Sequence, residues 1–190
     1  MKYFVLAGEP SGDLHGSNLI KNLLLKDPGG EVNCWGGDLM REAGGRLMKH
    51  YRDTAFMGAW EVLINIQSVK SNFETCKNQI AEFKPDVVIL IDYPGFNLRI
   101  ARFAKKLGII VYYYISPKFW AWRESRVKHV KRYVDRMYII FPFEMDFYRR
   151  HGYEAHYFGN PLIDQMDAYK KQVNDRSTLM ETLGLSDKPV

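Results

Sequence analysis

Five consecutive aliphatic residues, Val87-Val88-Ile89-Leu90-Ile91, run directly into Asp92-Tyr93-Pro94-Gly95. A strand that is apolar at every position, rather than at every second one, belongs in a sheet buried on both faces, and such sheets are the parallel ones of α/β proteins. Parallel neighbours need crossovers of a dozen or more residues, usually helices. This run therefore predicts that strands and helices alternate along the chain. The pattern does so: strands are expected at 3–7, 32–35, 87–91, 109–115, 137–140 and 156–158, with helices at 14–26, 38–43, 58–83, 98–107, 122–134 and 144–150 between them. The expected architecture is a doubly wound, mostly parallel α/β sheet. There is no internal repeat and no low-complexity tract.

The tail reads differently. Helical patterns at 161–173 and 176–183 are followed by Gly184 and a final Lys-Pro-Val that looks like the entry to another strand. Residues 1–173 are thus expected to form one domain, and 174–190 to lead towards a second.

With 190 residues, 46% of them hydrophobic, the chain can bury a sizeable core. Cys34 and Cys76 show no CxxC spacing, and the five histidines form no HExxH, so neither a disulfide framework nor a metal site is suggested. No charged-then-apolar leader opens the sequence, and no apolar run approaches the roughly 20 residues that span a bilayer. A reduced, cytoplasmic setting is the expectation. The net charge of +5 is concentrated: residues 99–136 carry eleven Lys and Arg against only Glu124 and Asp135. That segment should face an anion or a solvated surface. At helical spacing Val127, Val130 and Val134 share one face, leaving Arg126, Lys128, His129, Lys131 and Arg132 outward. One solvated face without spaced stacking platforms favours an anionic ligand or membrane surface over nucleic acid.

In doubly wound folds, ligands sit beyond the carboxyl ends of the strands. That rule selects the turns at 8–13, 92–97, 116–123 and 141–144. The first, Gly8-Glu9-Pro10-Ser11-Gly12-Asp13, is neither a GxGxxG fingerprint nor a Walker loop. The helix that follows offers free N–H groups to an anion or sugar hydroxyl, although Asp13 or Ser11 can equally cap that helix. Glu9 has no capping role and sits where a ligand would be. Asp92, at the carboxyl edge of a buried strand, is a general-base candidate whose pKa burial can tune; bracing the turn is the alternative. Asp86, at the other end of that strand, is expected to serve the preceding turn. On the 58–83 helix, Val62, Ile66, Val69, Phe73, Cys76, Ile80 and Phe83 form the buried stripe. Met57, Trp60 and Ile64 project to nearly the opposite side and call for a second apolar partner: another domain, lipid, or acyl chains.

Six ordered motifs carry a resemblance over essentially the whole chain: GEPSGD at 8–13, MGAWEVL at 57–63, IDYPGFN at 91–97, SPKFWAWR at 116–123, FPFE at 141–144 and GNP at 159–161. Together they resemble the lipid-A-disaccharide synthases of Gram-negative bacteria. Asn160 departs from the pattern, since many relatives carry His there, and this puts any His-dependent role of that turn in question. The resemblance implies the first, acceptor-side Rossmann-like half of a two-domain GT-B glycosyltransferase. It implies transfer from UDP-2,3-diacylglucosamine to 2,3-diacylglucosamine 1-phosphate (lipid X), with inversion, release of UDP and no cofactor. Asp92 matches the family's base candidate, with Glu9 and Ser11 lining the reaction centre. Substrate contacts are implied at Gly8, Gly12, Asp13, Met57, Trp60, Glu61, Ile64, Tyr93, Asn97, Ser116, Trp120, Trp122 and Arg123. The implied setting is cytoplasmic and peripheral on the anionic inner membrane, with homo-oligomers possible and nucleic acid excluded. A pure anionic-lipid-binding module, or a GT-B enzyme acting on a soluble UDP-sugar, are the rival readings.

Overall fold

The computed structural model describes residues 1–53 and 66–172. Seven parallel strands form one sheet: β1 (Lys2–Ala7), β2 (Glu31–Gly36), β3 (Arg46–His50), β4 (Val87–Ile91), β5 (Ile110–Tyr114), β6 (Arg136–Ile139) and β7 (Ala155–Tyr157). Their spatial order is β3-β2-β1-β4-β5-β6-β7. β1 and β4, central and apolar at every position of their inner run, are buried on both faces. β3, RLMKH, escapes the sequence reading because it is a polar edge strand with no buried position.

The crossovers are α1 (Pro10–Lys26), α2 (Asp38–Glu42), α3 (Ile66–Phe83), α4 (Pro94–Lys106), the short α5 (Phe119–Trp122), α6 (Val127–Tyr133) and α7 (Phe143–Arg150). One face of the sheet buries Phe4, Leu6, Val88 and Leu90 against α3, α4, α6 and α7. The other buries Val5, Ala7, Ile89 and Ile91, with Ile20 of α1 and Met40 of α2. Cys76 and Ile80 of α3 are fully buried, with Phe73 and Phe83 packed beside them, as the stripe requires; Val62 lies outside the described residues. The expected helix at 122–134 is instead α5, a 3-10 turn at Glu124–Arg126, and α6. Its valines do face the core: Val127, Val130 and Val134 are buried, while Lys128, His129, Lys131 and Arg132 are exposed.

Two helices begin earlier than expected, and for one reason. Pro10 and Pro94 sit at the first helical position, where proline's missing N–H is no loss and its fixed φ suits the helix. The turns after β1 and β4 thereby shrink to Gly8-Glu9 and Asp92-Tyr93. Asp86, expected to serve the preceding turn, instead braces the amino edge of the sheet: its carboxylate accepts the Lys2 N–H at 2.7 Å, tying β4 to β1.

Residues Met1–Phe158 form one compact unit, and the chain from Gly159 a second. In the second, the described helix is α8 (Pro161–Gln172), where Asn160 Oδ1 accepts the Leu162 N–H at 3.0 Å. The residue that departs from the family pattern thus caps that helix. The expected helix at 176–183 lies outside the described residues.

Candidate active site

The strand order reverses direction at β1: β2 and β3 extend to one side, β4 and everything after it to the other. Such a switch point opens a crevice beyond the carboxyl ends of the two central strands. Ala7 pairs with Ile91 in the last register step. Gly8-Glu9 and Asp92-Tyr93 therefore meet side by side at the crevice. A Cβ on Gly8 would stand 2.5 Å from Cδ1 of Tyr93, so the ring lies directly on the glycine backbone.

Asp92 and Tyr93 both adopt positive φ, 40° and 46°. Consecutive left-handed non-glycine residues cost of order 1–3 kcal/mol each and persist only where the surroundings hold them. Three hydrogen bonds from two buried side chains hold this turn. Nδ2 of Asn97, fully buried on α4, donates to the carbonyls of Ile91 at 3.1 Å and Asp92 at 2.8 Å. The hydroxyl of Tyr113 on β5, also fully buried, donates to the same Asp92 carbonyl at 2.5 Å. Asn97, for which a substrate contact is expected, clamps the Asp92 turn through its amide nitrogen. Burial pushes the Asp92 carboxyl up to about 6, with the negative charge of Glu9 adding to the rise; the Tyr93 N–H and the positive charge of Lys118 oppose it. A carboxylate with that pKa is ionised at neutral pH yet basic enough to take a proton.

On the β1 side Glu9 and Ser11 are exposed at the mouth of the crevice, on the first turn of α1. Glu9 is the N-cap residue, and no side chain caps the helix. The expected capping of α1 by Asp13 or Ser11 is thus corrected. Asp13 caps a different helix: its carboxylate, 4% exposed, accepts N–H groups of Gly37 at 2.7 Å, Leu39 at 3.2 Å and Met40 at 3.1 Å. Those amides open α2, and the carboxylate committed to them braces α1 against α2 rather than facing the crevice. Gly12 serves packing as well, since a Cβ there would lie 3.0 Å from Cβ of Ala7.

The turns after β5 and β6 bring the remaining groups. Ile115, a β-branched residue at φ 66°, swings the chain into Ser116. The Ser116 hydroxyl is buried and shares a 2.6 Å hydrogen bond with the Tyr148 hydroxyl of α7. Trp120, 40% exposed, meets the Phe143 ring edge-on at 5.0 Å. Trp122 and Arg123 are exposed, with the guanidinium 5.6 Å from the indole centroid. Sequence reasoning missed Glu144 and Lys118. Glu144 is 1% exposed in the first turn of α7 and accepts the Phe141 N–H at 3.2 Å; burial pushes its carboxyl up, against the hydrogen bonds it receives. The signal was present, an acid directly after the carboxyl edge of a strand, but an acid there usually faces water. Met57, Trp60, Glu61 and Ile64 lie outside the described residues.

A family-wide sequence profile described as lipid-A-disaccharide synthetase matches residues 3–184. The chain belongs to that family. It is 43% identical over 166 residues to the lipid-A-disaccharide synthase of Trichlorobacter lovleyi, an alignment covering 87% of this chain and 43% of that protein. Against the Myxococcus xanthus synthase it is 41% identical over 185 residues, 97% of this chain and 47% of the relative. The chain thus spans about half the length of these curated relatives. Among solved structures, the fold matches UDP-GlcNAc 2-epimerase from Neisseria meningitidis with a TM-score of 0.66 at 12% identity, covering 95% of this chain and 52% of that one. It matches Acinetobacter baumannii MurG with a TM-score of 0.51 at 13% identity, over 84% and 45% of the two chains. At that identity the likeness bears on fold alone, and it is the Rossmann-like fold that the family resemblance implied.

Proposed function

We propose that this chain is the acceptor-side half of an inverting hexosyltransferase that joins UDP-2,3-diacylglucosamine to 2,3-diacylglucosamine 1-phosphate. The observation that carries the reading is Asp92: a carboxylate at the switch point, clamped in a strained turn and raised towards neutrality. In the reaction, the acceptor's primary hydroxyl oxygen attacks the donor's anomeric carbon from the face opposite the leaving group. Its proton passes to Asp92 as the bond to oxygen forms, and the bond to the diphosphate breaks with its electron pair leaving on UDP. Glu9 and Ser11, exposed beside Asp92, orient sugar hydroxyls. Lys118, close enough to influence Asp92, supplies positive charge near the developing anion. Residues 174–190 lead into a second half that binds most of the UDP.

The substrates are lipids, and a surface feature suits a membrane location. Between α3 and α4 runs an open groove of about 600 Å³, floored by Phe73, Phe103 and Leu107 and edged by Lys77, Arg99, Arg102 and Lys106. Arg99, Arg102 and Lys106 follow one another at spacings that share a helix face. An apolar floor under a cationic rim matches acyl chains beneath anionic headgroups. Among the described residues no helix is long and apolar enough to cross a membrane.

The direct test measures UDP release from UDP-2,3-diacylglucosamine and lipid X. This sequence joined to the second half that its relatives carry should release UDP and form the disaccharide, whereas residues 1–190 alone should release none. No release from the joined protein would refute the transferase reading, and robust release from residues 1–190 would refute the division of labour.

A further inference from the structure

Two helices that only pack on a sheet bury their apolar surface at the seam between them. The seam of α3 and α4 leaves part of it open. Phe73, Phe96 and Phe103 pack against the core on one side and stay only half-buried, and Leu107 beyond them is 50% exposed. The rings form a connected series. Tyr93, in the Asp92 turn, stacks on Phe96 with centroids 5.9 Å apart, and Phe96 meets Phe73 edge-on at 5.7 Å. The Lys77 ammonium then stands over both Phe73 and Phe103, 5.4 and 5.3 Å from their centroids. Both rings thus turn a face to the groove, since it is the π face that attracts a cation. Phe96 also walls a small pocket with Gly8 and Tyr93, so the apolar strip begins at the crevice itself.

Length and charge say what such a strip receives. From Phe96 to Leu107 the chain rises about 16 Å at ~1.5 Å per residue, the extended length of an acyl chain of about a dozen carbons. Lys77, Arg99, Arg102 and Lys106 line the groove. Lys77 is paired with Glu74 at 2.9 Å, but among the described residues Arg99, Arg102 and Lys106 form no ion pair and are exposed. An unpaired cationic rim beside an apolar floor selects an anionic amphiphile.

We propose that the α3–α4 groove is the acyl-chain subsite of the acceptor: with the sugar at the Asp92 turn, one acyl chain of 2,3-diacylglucosamine 1-phosphate leaves the crevice over Phe96 and Phe73 and lies along Phe103 to Leu107. The rim holds the groove against anionic headgroups, so the chain passes from bilayer to subsite without crossing water. The identity of the chain rests on the transferase reading.

The test uses the protein completed with its second half, without vesicles or detergent. The probes are lipid X analogues with acyl chains of about four or about eight carbons, kept below micelle formation so that no bilayer or micelle takes part. In the parent the longer chains should tighten the calorimetric Kd about tenfold, since an open groove buries roughly half of each added carbon. Phe73→Ser and Phe103→Ser should each cut that gain to within about threefold and leave the Kd of the short-chain analogue unchanged. Phe73→Leu, which keeps the floor apolar, should restore the gain. The same gain in both Ser variants as in the parent overturns the proposal and leaves the groove a membrane contact only; so does a parent Kd indifferent to chain length. If Phe73→Ser does not fold, Phe103→Ser decides alone. A parent that gains affinity with chain length yet releases no UDP refutes the transferase reading and not the subsite, whereas one that transfers without that gain refutes the subsite and not the reading.

Discussion

Asp92→Asn should make this protein more stable while disabling it. In the folded chain the carboxyl titrates at about 6, against an ordinary 3.8. At 1.36 kcal/mol per pKa unit, that difference corresponds to about 3 kcal/mol of destabilisation once the group is ionised. The carboxylate is only partly buried, and solvent screening brings the expectation to about 1–2 kcal/mol. Because the folded value lies above the unfolded one, the native state keeps a proton that the unfolded chain releases between roughly pH 4 and 6. The penalty is absent at acid pH, grows through that window, and is complete above it. Asn fits the left-handed backbone at this position as well as Asp does, and its Oδ1 can still accept the Tyr93 N–H. Urea unfolding should therefore show Asp92→Asn ahead of the parent by about 1–2 kcal/mol at pH 8 and level with it near pH 4. Turnover should fall roughly 10²- to 10⁴-fold at every pH, as for loss of a general base. Equal stability at pH 8 would mean that the buried charge is not strained, and full activity would remove Asp92 from its role.

Three further outcomes follow from the same geometry. Glu9→Gln should move the acid limb of kcat/KM to lower pH, because Glu9's charge helps raise Asp92, and Lys118→Gln should move it higher; a pH–rate series reads both. Asn97→Ala leaves the Ile91 carbonyl without its side-chain donor and the Asp92 carbonyl with Tyr113 alone. It should cost about 1–3 kcal/mol in urea unfolding and lower kcat by relaxing the Asp92 turn. Sedimentation with phosphatidylglycerol vesicles should show binding in two parts: changing Arg99, Arg102 and Lys106 to Gln removes the salt-sensitive part, and changing Phe103 and Leu107 to Ser removes the rest. Unchanged sedimentation of both sets would clear the groove of any role at membranes.

The sequence was most readable where local pattern and burial agree. Val87–Ile91 is apolar throughout because both its faces are covered, and that one fact located β4, the sheet type and Asp92 together. β3 was invisible because an edge strand has no such demand on its composition. Asp13 was misread for a different reason. Its partners, the amides of α2, are 24 to 27 residues away, and a cap supplied by another helix leaves no trace in local spacing. Glu144 shows the same limit, since nothing in FPFE tells a solvated acid from a buried one. The break at Glu124–Arg126 has no glycine or proline to announce it.

β1 precedes its sheet neighbours in the chain and ends in the middle of the sheet, between β2 and β4. Its link to the second neighbour, marked by the Lys2 to Asp86 contact, joins residues 84 positions apart. During synthesis one side of this apolar strand has no partner until β4 has been made and has cleared the exit tunnel. Closing so long a loop is slow compared with forming local helices, and an unpaired strand edge invites association with other chains. The seam where Glu9 meets Asp92 thus exists on the nascent chain only once β4 has been made. Chaperone demand should be set by translation speed across the α3 coding region, the stretch made while β1 waits.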